Sequence, residues 1–130
     1  MKRGSIKTKI SSSGQISIQM DLIEGTAWMS KPEIANLFMV YQNTIHSNLS
    51  AIFKTEVLRN SEVVKEYRYT ENSQERIAVY YNLEVIIALC YRINSPVTNA
   101  LRKHILKNIV RNPTNCNVNH DNPLLTYSLN

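Results

Sequence analysis

Apolar residues recur at helical spacing in two short stretches that are separated by only three residues. The first stripe is Ile34, Leu37 and Phe38, and the second is Ile45, Leu49, Ile52 and Phe53. Ser30 and Glu33 stand three residues apart ahead of the first stripe, which predicts a capping box, and Pro32 suits a first helical turn. The pattern therefore predicts helices over 31–38 and 42–53, joined by the tight turn of a helix-turn-helix.

The turn itself departs from the usual pattern. A helix-turn-helix often has Gly at the first turn position, where the backbone needs a positive φ, and here that position is Met39. A left-handed Met costs roughly 1 kcal/mol. We therefore expect either a different turn or a fold that tolerates this strain.

Alternating apolar and polar residues predict two hairpins. Residues 15–22 alternate, Glu24-Gly25 is typical of a tight turn, and residues 26–28 would form a short return strand, which predicts a hairpin over 15–28. Runs rich in Tyr and Val at 66–70 and 76–81 flank a polar stretch. They predict a second pair of strands within 66–81, in the position of a wing after the helix-turn-helix.

Two further helices complete the predicted domain. Asn82 can cap a helix over 83–92, and Asn94-Ser95-Pro96 breaks the chain before a helix over 97–111. The fold class is then α+β, winged helix-turn-helix-like, with one or two small β-hairpins. Residues 1–14 would be a basic arm, 15–111 the domain, and 112–130 a flexible Asn-rich tail. The expected core is Trp28, Ile34, Leu37, Phe38, Ile45, Leu49, Phe53, Leu83, Ile86 and Ile87.

Charge and composition narrow the setting of the protein. The chain has 130 residues and a net charge of +5, with four basic and no acidic residues in 1–20 and five basic and no acidic residues in 92–111. No apolar run approaches the ~20 residues of a membrane span, and the N-terminal residues lack the apolar core of a signal peptide. Two cysteines do not make a disulfide framework. We expect a cytoplasmic protein without a membrane partner.

Short motifs in a fixed order resemble one family. They are WMSK at 28–31, at the entry to the helix-turn-helix pattern, and then VYYNLE at 79–84 and YRINS at 91–95. The chain is similar over about residues 15–110 to the RhuM family, bacterial proteins described as virulence-associated or DNA-binding, and more distantly to phage antirepressor-type N-terminal domains. The resemblance implies a DNA-binding module in transcription regulation. Relatives tend to carry Arg, His and Lys on the second helix, whereas residues 42–53 here contain no Lys, Arg, Asp or Glu.

The candidate DNA-binding residues follow from the polar side of the second helix and from a basic stripe on the last. Asn and Gln side chains can make two hydrogen bonds to adenine, and Lys can contact phosphate. The candidates are Gln42, Asn43, Thr44, His46, Ser47, Ser50, Lys54, Lys103 and Lys107. The same surfaces are also compatible with solvated faces, in which case the domain would bind a protein through a degenerate helix-turn-helix. The wide apolar arc of the last helix further suggests a homodimer.

Catalytic and metal chemistry find little support in the sequence. Cys116, His120 and Asp121 are close in the chain, but tetrahedral zinc needs four ligands. Neither a phosphate-binding glycine loop nor a carboxylate pair stands out, so we expect no enzyme and no cofactor. Arg102 falls within an apolar arc, and we expect it to be paired to Glu84 or to carbonyl oxygens.

Overall fold

The computed structural model describes residues 2–111, with side chains through Ile109. The strands in this part of the chain are β1 (Ser5–Ile10), β2 (Ile16–Asp21), β3 (Met29–Ser30), β4 (Val64–Glu71) and β5 (Gln74–Tyr81). The helices are α1 (Lys31–Phe38), α2 (Gln42–Lys54), α3 (Asn60–Val63), α4 (Leu83–Arg92) and α5 (Pro96–Arg111). The mixed α+β class is confirmed.

None of the helices in residues 2–111 has the length and apolar character needed to cross a lipid bilayer.

The two helices predicted for the helix-turn-helix, and the short turn between them, are present as α1 and α2. The Glu33 N–H donates to Ser30 Oγ at 3.4 Å, and the Ser30 N–H donates to Glu33 Oε1 at 2.9 Å, which completes the predicted capping box. Met39 ends α1 with φ 59° and ψ 47°, so the turn keeps its left-handed residue without glycine. The following Val40 N–H donates to the carbonyl of Ala35 at 3.0 Å and closes the turn.

The first hairpin differs from the prediction. β2 pairs with β1, with Ile6 opposite Met20 and Ile10 opposite Ile16, so the hairpin spans 5–21 rather than 15–28. Residues 5–10 of the expected basic arm are therefore a strand. The cause is a second alternation, in which apolar positions of β1 alternate with Lys7 and Lys9 and match the apolar positions of β2.

The segment expected as the return strand has a different position. Residues 23–26 form only a turn with a single bridge between Ile23 and Thr26. Ala27 and Trp28 are buried, and the Trp28 N–H donates to the carbonyl of Arg3 at 2.8 Å. This segment therefore leads the chain inward to β3 and α1 instead of extending β2.

The second predicted pair of strands, called the wing below because it follows α2, is confirmed as a hairpin and is longer than predicted. β4 and β5 pair from Val64 opposite Tyr81 to Glu71 opposite Gln74. The two turn residues, Asn72 and Ser73, both have positive φ, as the common two-residue hairpin turn requires. β3 adds to the base of β5, giving the order β3-β5-β4.

The predicted core is correct for most of its members. Trp28, Ile34, Phe38, Ile45, Leu49 and Ile86 are buried, whereas Leu37, Phe53, Leu83 and Ile87 are half-buried. Two of these four, Leu83 and Ile87, lie in α4, where the buried residues are Val85, Ile86, Leu89 and Cys90. Because α4 is apolar on most of its surface, its packing against α2 and α5, rather than its periodicity, decides which side is inside.

The start of α5 is fixed by side-chain hydrogen bonds. The Thr98 N–H donates to Ser95 Oγ at 3.1 Å, and the Ser95 N–H donates to Thr98 Oγ1 at 2.8 Å. One turn later, Arg102 donates to the carbonyls of Cys90 and Ile93, so its predicted pairing is to carbonyls. The predicted tail, with Cys116, His120 and Asp121, lies outside the described residues.

Candidate nucleic-acid interface

The polar side of α2 faces solvent because its apolar side is buried in the core. Ile45, Leu49 and Ile52 are buried. The candidates Gln42, Asn43, His46, Ser47, Ser50 and Lys54 are exposed, and Thr44 is half-buried. The structure thus groups the seven candidates of α2 on one helix, with six of them open to solvent. Their amides, hydroxyls and imidazole can donate and accept hydrogen bonds, and Lys54 adds the only formal charge.

One edge of this polar face borders the wing. His46 and Ser50 line a groove of about 370 Å³ whose opposite side is formed by Glu66, Val79 and Tyr81. Lys31 Nζ lies 3.0 Å from His46 Nδ1. An ammonium group has donors only, so Nδ1 must accept this hydrogen bond. The cation at the start of α1 is thereby held beside the middle of α2.

The other edge of the polar face borders α4. Arg92 Nε donates to Asn48 Oδ1 at 3.2 Å, and Asn48 Nδ2 donates to the carbonyl of Thr44 at 2.8 Å. The bond from Asn48 to its own helix fixes the amide, and the amide in turn positions the guanidinium. Arg92 remains exposed. A second cation from outside α2 therefore stands beside this helix.

The N-terminus of α2 is not closed by a side chain. Its N-cap residue is Tyr41, which has an extended backbone and makes no capping hydrogen bond. The tyrosine side chain is exposed, as are those of Gln42 and Asn43. Backbone N–H groups at the start of this 13-residue helix are therefore open on the same side as the candidate residues.

The basic stripe of α5 lies apart from this face. Lys103 and Lys107 are exposed and line a groove of about 570 Å³ between α5 and the first hairpin, together with Ile16 and Ile18. The grooves beside α2 are lined by other residues. The candidates predicted from the sequence thus form two groups, one on α2 and one on α5.

Two cations near α2 were missed by the sequence reasoning. Lys31 and Arg92 lie 15 and 44 residues away from the α2 side chains that they contact. No local pattern indicates such pairings, because they depend on how α1 and α4 pack around α2. The lack of charge within residues 42–53 is therefore partly offset by neighbouring elements.

An ion pair secures the element that carries Lys31. Arg3 Nη1 lies 2.7 Å from Glu33 Oε1, the same oxygen that accepts the Ser30 N–H. Burial raises the pKa of Glu33, but the hydrogen bonds from Ser30 and Arg3 outweigh burial, and the pKa lies below its usual value. The hydrogen bond to Glu33 in turn raises the pKa of Arg3. The N-terminal strand region is thus tied to the start of α1.

Within the described part of the chain, no three His, Cys, Asp or Glu side chains are placed to share a metal ion. No family model, curated protein or solved structure is significantly similar to this chain.

Proposed function

We propose that this domain binds double-stranded DNA as a winged helix-turn-helix module, with α2 in the major groove. The observation that carries the proposal is the exposed amide and hydroxyl face of α2, bordered by Lys31 on one side and Arg92 on the other. This arrangement separates two tasks, because base edges are read by hydrogen bonds and the backbone is held by cations. The sequence resemblance to the RhuM family favours the same class of function.

The uncharged face suits base reading more than general affinity. Gln42 and Asn43 lie in the first turn of α2, which is the part of a recognition helix that usually contacts base edges. Their amides match the donor and acceptor pair that adenine presents in the major groove. We therefore expect a preference for A·T base pairs where these side chains contact the DNA.

The phosphate contacts would come from the surroundings of α2. Lys54 is in its last turn, Lys31 and Arg92 flank it, and the open N-terminal N–H groups favour anions. Lys103 and Lys107 line the groove beside β2, so we assign to them a longer-range attraction of the DNA backbone. In this proposal the domain needs neither a cofactor nor catalytic residues.

The test is fluorescence anisotropy on genomic duplex fragments at two salt concentrations. We expect Lys54→Ala and Arg92→Ala to weaken binding to all duplexes alike and to reduce the salt slope by about one unit each. Lys9→Ala removes the same charge from the first hairpin and serves as the matched control. Asn43→Ala should instead relax the preference at one base pair, at a cost of about 1–3 kcal/mol.

The measurement on Lys107→Ala shows whether the α5 stripe shares in binding. A change in the salt slope equal to that of Lys54→Ala would place the stripe on phosphate. A folded sample without duplex binding at low salt would reject the proposal.

A second candidate function, a protein-interaction domain, is favoured by one apolar groove. It lies between the end of α2 and α4, measures about 440 Å³, and is lined mainly by Ile52, Val57, Leu58, Ile87 and Ala88. Among these lining residues, Val57 is 79% exposed. A homodimer, which many helix-turn-helix proteins use to read two half-sites, could cover such a surface. Light scattering that gives a monomer at high concentration would exclude the homodimer.

A further inference from the structure

The wing has two faces of different character. Side chains alternate along β4 and β5, and residues paired across the hairpin share a face. The inner face, with Val64, Glu66, Val79 and Tyr81, borders α2. The outer face carries Lys65, Tyr67, Tyr69, Glu71, Gln74, Arg76, Ala78 and Tyr80. Three of the four tyrosines in these strands are therefore on the side away from α2.

Two of these rings are exposed and regularly spaced. Tyr67 and Tyr69 are 49% and 39% exposed, which is high for aromatic side chains in the middle of a strand. They are two residues apart on β4, so their attachment points are separated by about 7 Å. Ala78 is directly opposite Tyr67, and Arg76 is directly opposite Tyr69. The small side chain beside the first ring leaves room for a flat group to stack on it.

The aromatic face is also the more basic face of the hairpin. Lys65 and Arg76 stand there against Glu71, whereas Arg68 stands on the inner face against Glu66 and Glu75. The ion pair between Arg76 and Glu71 has a separation of 3.5 Å, and both side chains are about half exposed. Such a pair contributes little in water, so the guanidinium can move to a phosphate.

Cations and rings alternate in space at the base of the same face. Lys65 Nζ lies 4.4 Å from the centre of the Trp28 ring, and the guanidinium of Arg3 lies 4.8 Å from the centre of the Tyr80 ring. Together with Tyr67, Tyr69 and Arg76 of the same face, these side chains form a strip that combines aromatic rings with positive charges, in which the Trp28 ring is buried.

From this strip we infer that the outer face of the wing binds single-stranded DNA, with bases stacked on Tyr67 and Tyr69 and phosphates beside Lys65 and Arg76. Proteins that hold unpaired strands combine aromatic stacking surfaces with cations that follow the backbone. A duplex offers no free base faces in its interior, so this surface selects unpaired nucleotides. Tyr67 and Tyr69 lie on the face of the hairpin opposite to the residues that border the middle of α2, and only Ala78 and Tyr80 of this face share a groove with Gln42.

The test measures binding of a labelled oligothymidylate by anisotropy at low salt. We expect Tyr67→Ala and Tyr69→Ala each to weaken binding about tenfold, the loss expected when one stacked base is released. Tyr67→Phe keeps the ring and should bind as the unchanged protein does. Ile77→Ala is the matched control, because Ile77 is exposed on the inner face of the same hairpin and its loss should leave binding unchanged.

A second signal comes from the single tryptophan of the chain. If the strand draws Lys65 away from the Trp28 ring, the emission of Trp28 should change on titration with oligothymidylate and stay constant with a blunt duplex. Duplex binding should be the same for Tyr67→Ala as for the unchanged protein, which separates this site from the one proposed on α2.

Three results would overturn the inference. They are an absence of oligothymidylate binding by folded protein, equal weakening by Ile77→Ala and Tyr67→Ala, and a loss with Lys65→Ala while both tyrosine variants bind normally. If oligouridylate binds more tightly than oligothymidylate, the ligand is single-stranded RNA and the proposal of DNA is wrong. Thermal melts of each variant show whether a loss of binding reflects unfolding.

Discussion

Replacing Met39 by Gly is expected to stabilise the domain. Met39 has φ 59° and ψ 47°, a conformation that costs a residue with a Cβ about 1–2 kcal/mol. Glycine adopts this conformation without strain. Its greater conformational freedom in the unfolded chain, however, reduces the stabilisation by about 0.4–1 kcal/mol. The methionine side chain is 67% exposed, so its removal leaves no cavity. The net expectation is a gain of about 0.5–1 kcal/mol in the free energy of unfolding.

Urea denaturation followed by circular dichroism measures this gain. Met39→Ala is the control, because it removes the same side chain but keeps the Cβ that causes the strain. The alanine variant should lie within about 0.5 kcal/mol of the unchanged protein, as exposed substitutions usually do. The comparison is valid if the dependence on urea is the same for all three proteins. A glycine variant no more stable than the alanine variant would show that the turn carries no strain.

Three other predictions concern the buried Leu49, the thiol of Cys90 and the carboxylate of Glu33. Leu49→Ala should lower the free energy of unfolding by about 2–5 kcal/mol because Leu49 is buried in the core; an unchanged urea midpoint would mean that α2 turns another side inward. Burial raises the pKa of Cys90 to about 11, so in a Cys116→Ser variant a thiol reagent at pH 8 should react slowly until the protein unfolds, and rapid labelling of native protein would contradict this. The pKa of Glu33 is lowered in the fold, so its carboxylate stabilises the protein above the ordinary pKa of about 4.3 and loses this effect as the pH falls through the lowered value. The difference in the free energy of unfolding between the unchanged protein and Glu33→Gln should therefore decrease at acidic pH. A difference that stays constant with pH would contradict this prediction.

Four of the five helices in residues 2–111 could be predicted from local signals, whereas the four-residue α3 was not predicted. The capping box of Ser30 and Glu33, the cap at Asn82 and the break at Pro96 fixed three starts, and all are present in the structure. For α2, the periodicity of apolar residues was sufficient to predict the helix and its buried side, because its apolar stripe is narrow. It failed for α4, where Val85 and Leu89 are buried although Leu83 and Ile87 fit a helical stripe equally well.

The strand pairing could not be derived in the same way. Alternation over 15–22 indicates a strand but does not say which segment pairs with it. The basic residues Lys7 and Lys9 favoured an extended arm, and Ile6 and Ile10, which flank them, were the signal that was missed. A hairpin to the preceding segment satisfies both patterns, since the lysines then face solvent.

For the candidate interface, the sequence predicted the exposed face of α2 but not its neighbours. Exposure follows from the phase of one helix, which Ile45 and Leu49 define. The positions of Lys31 and Arg92 follow from the packing of three helices, and that packing depends on contacts distant in sequence. The grouping of Lys103 and Lys107 with β2 likewise required the corrected hairpin.

The pairing of β3 with β5 also determines how the domain opens. Met29 lies opposite Tyr81, so this short ladder closes a loop that contains α1, α2 and the whole of β4. Because closing this loop restricts the chain, we expect the ladder to form after the helices and the β4–β5 hairpin that it encloses. Once closed, the ladder prevents α2 and the wing from separating without rupture of the sheet. The two elements therefore belong to one cooperative unit, and their amide protons should exchange together.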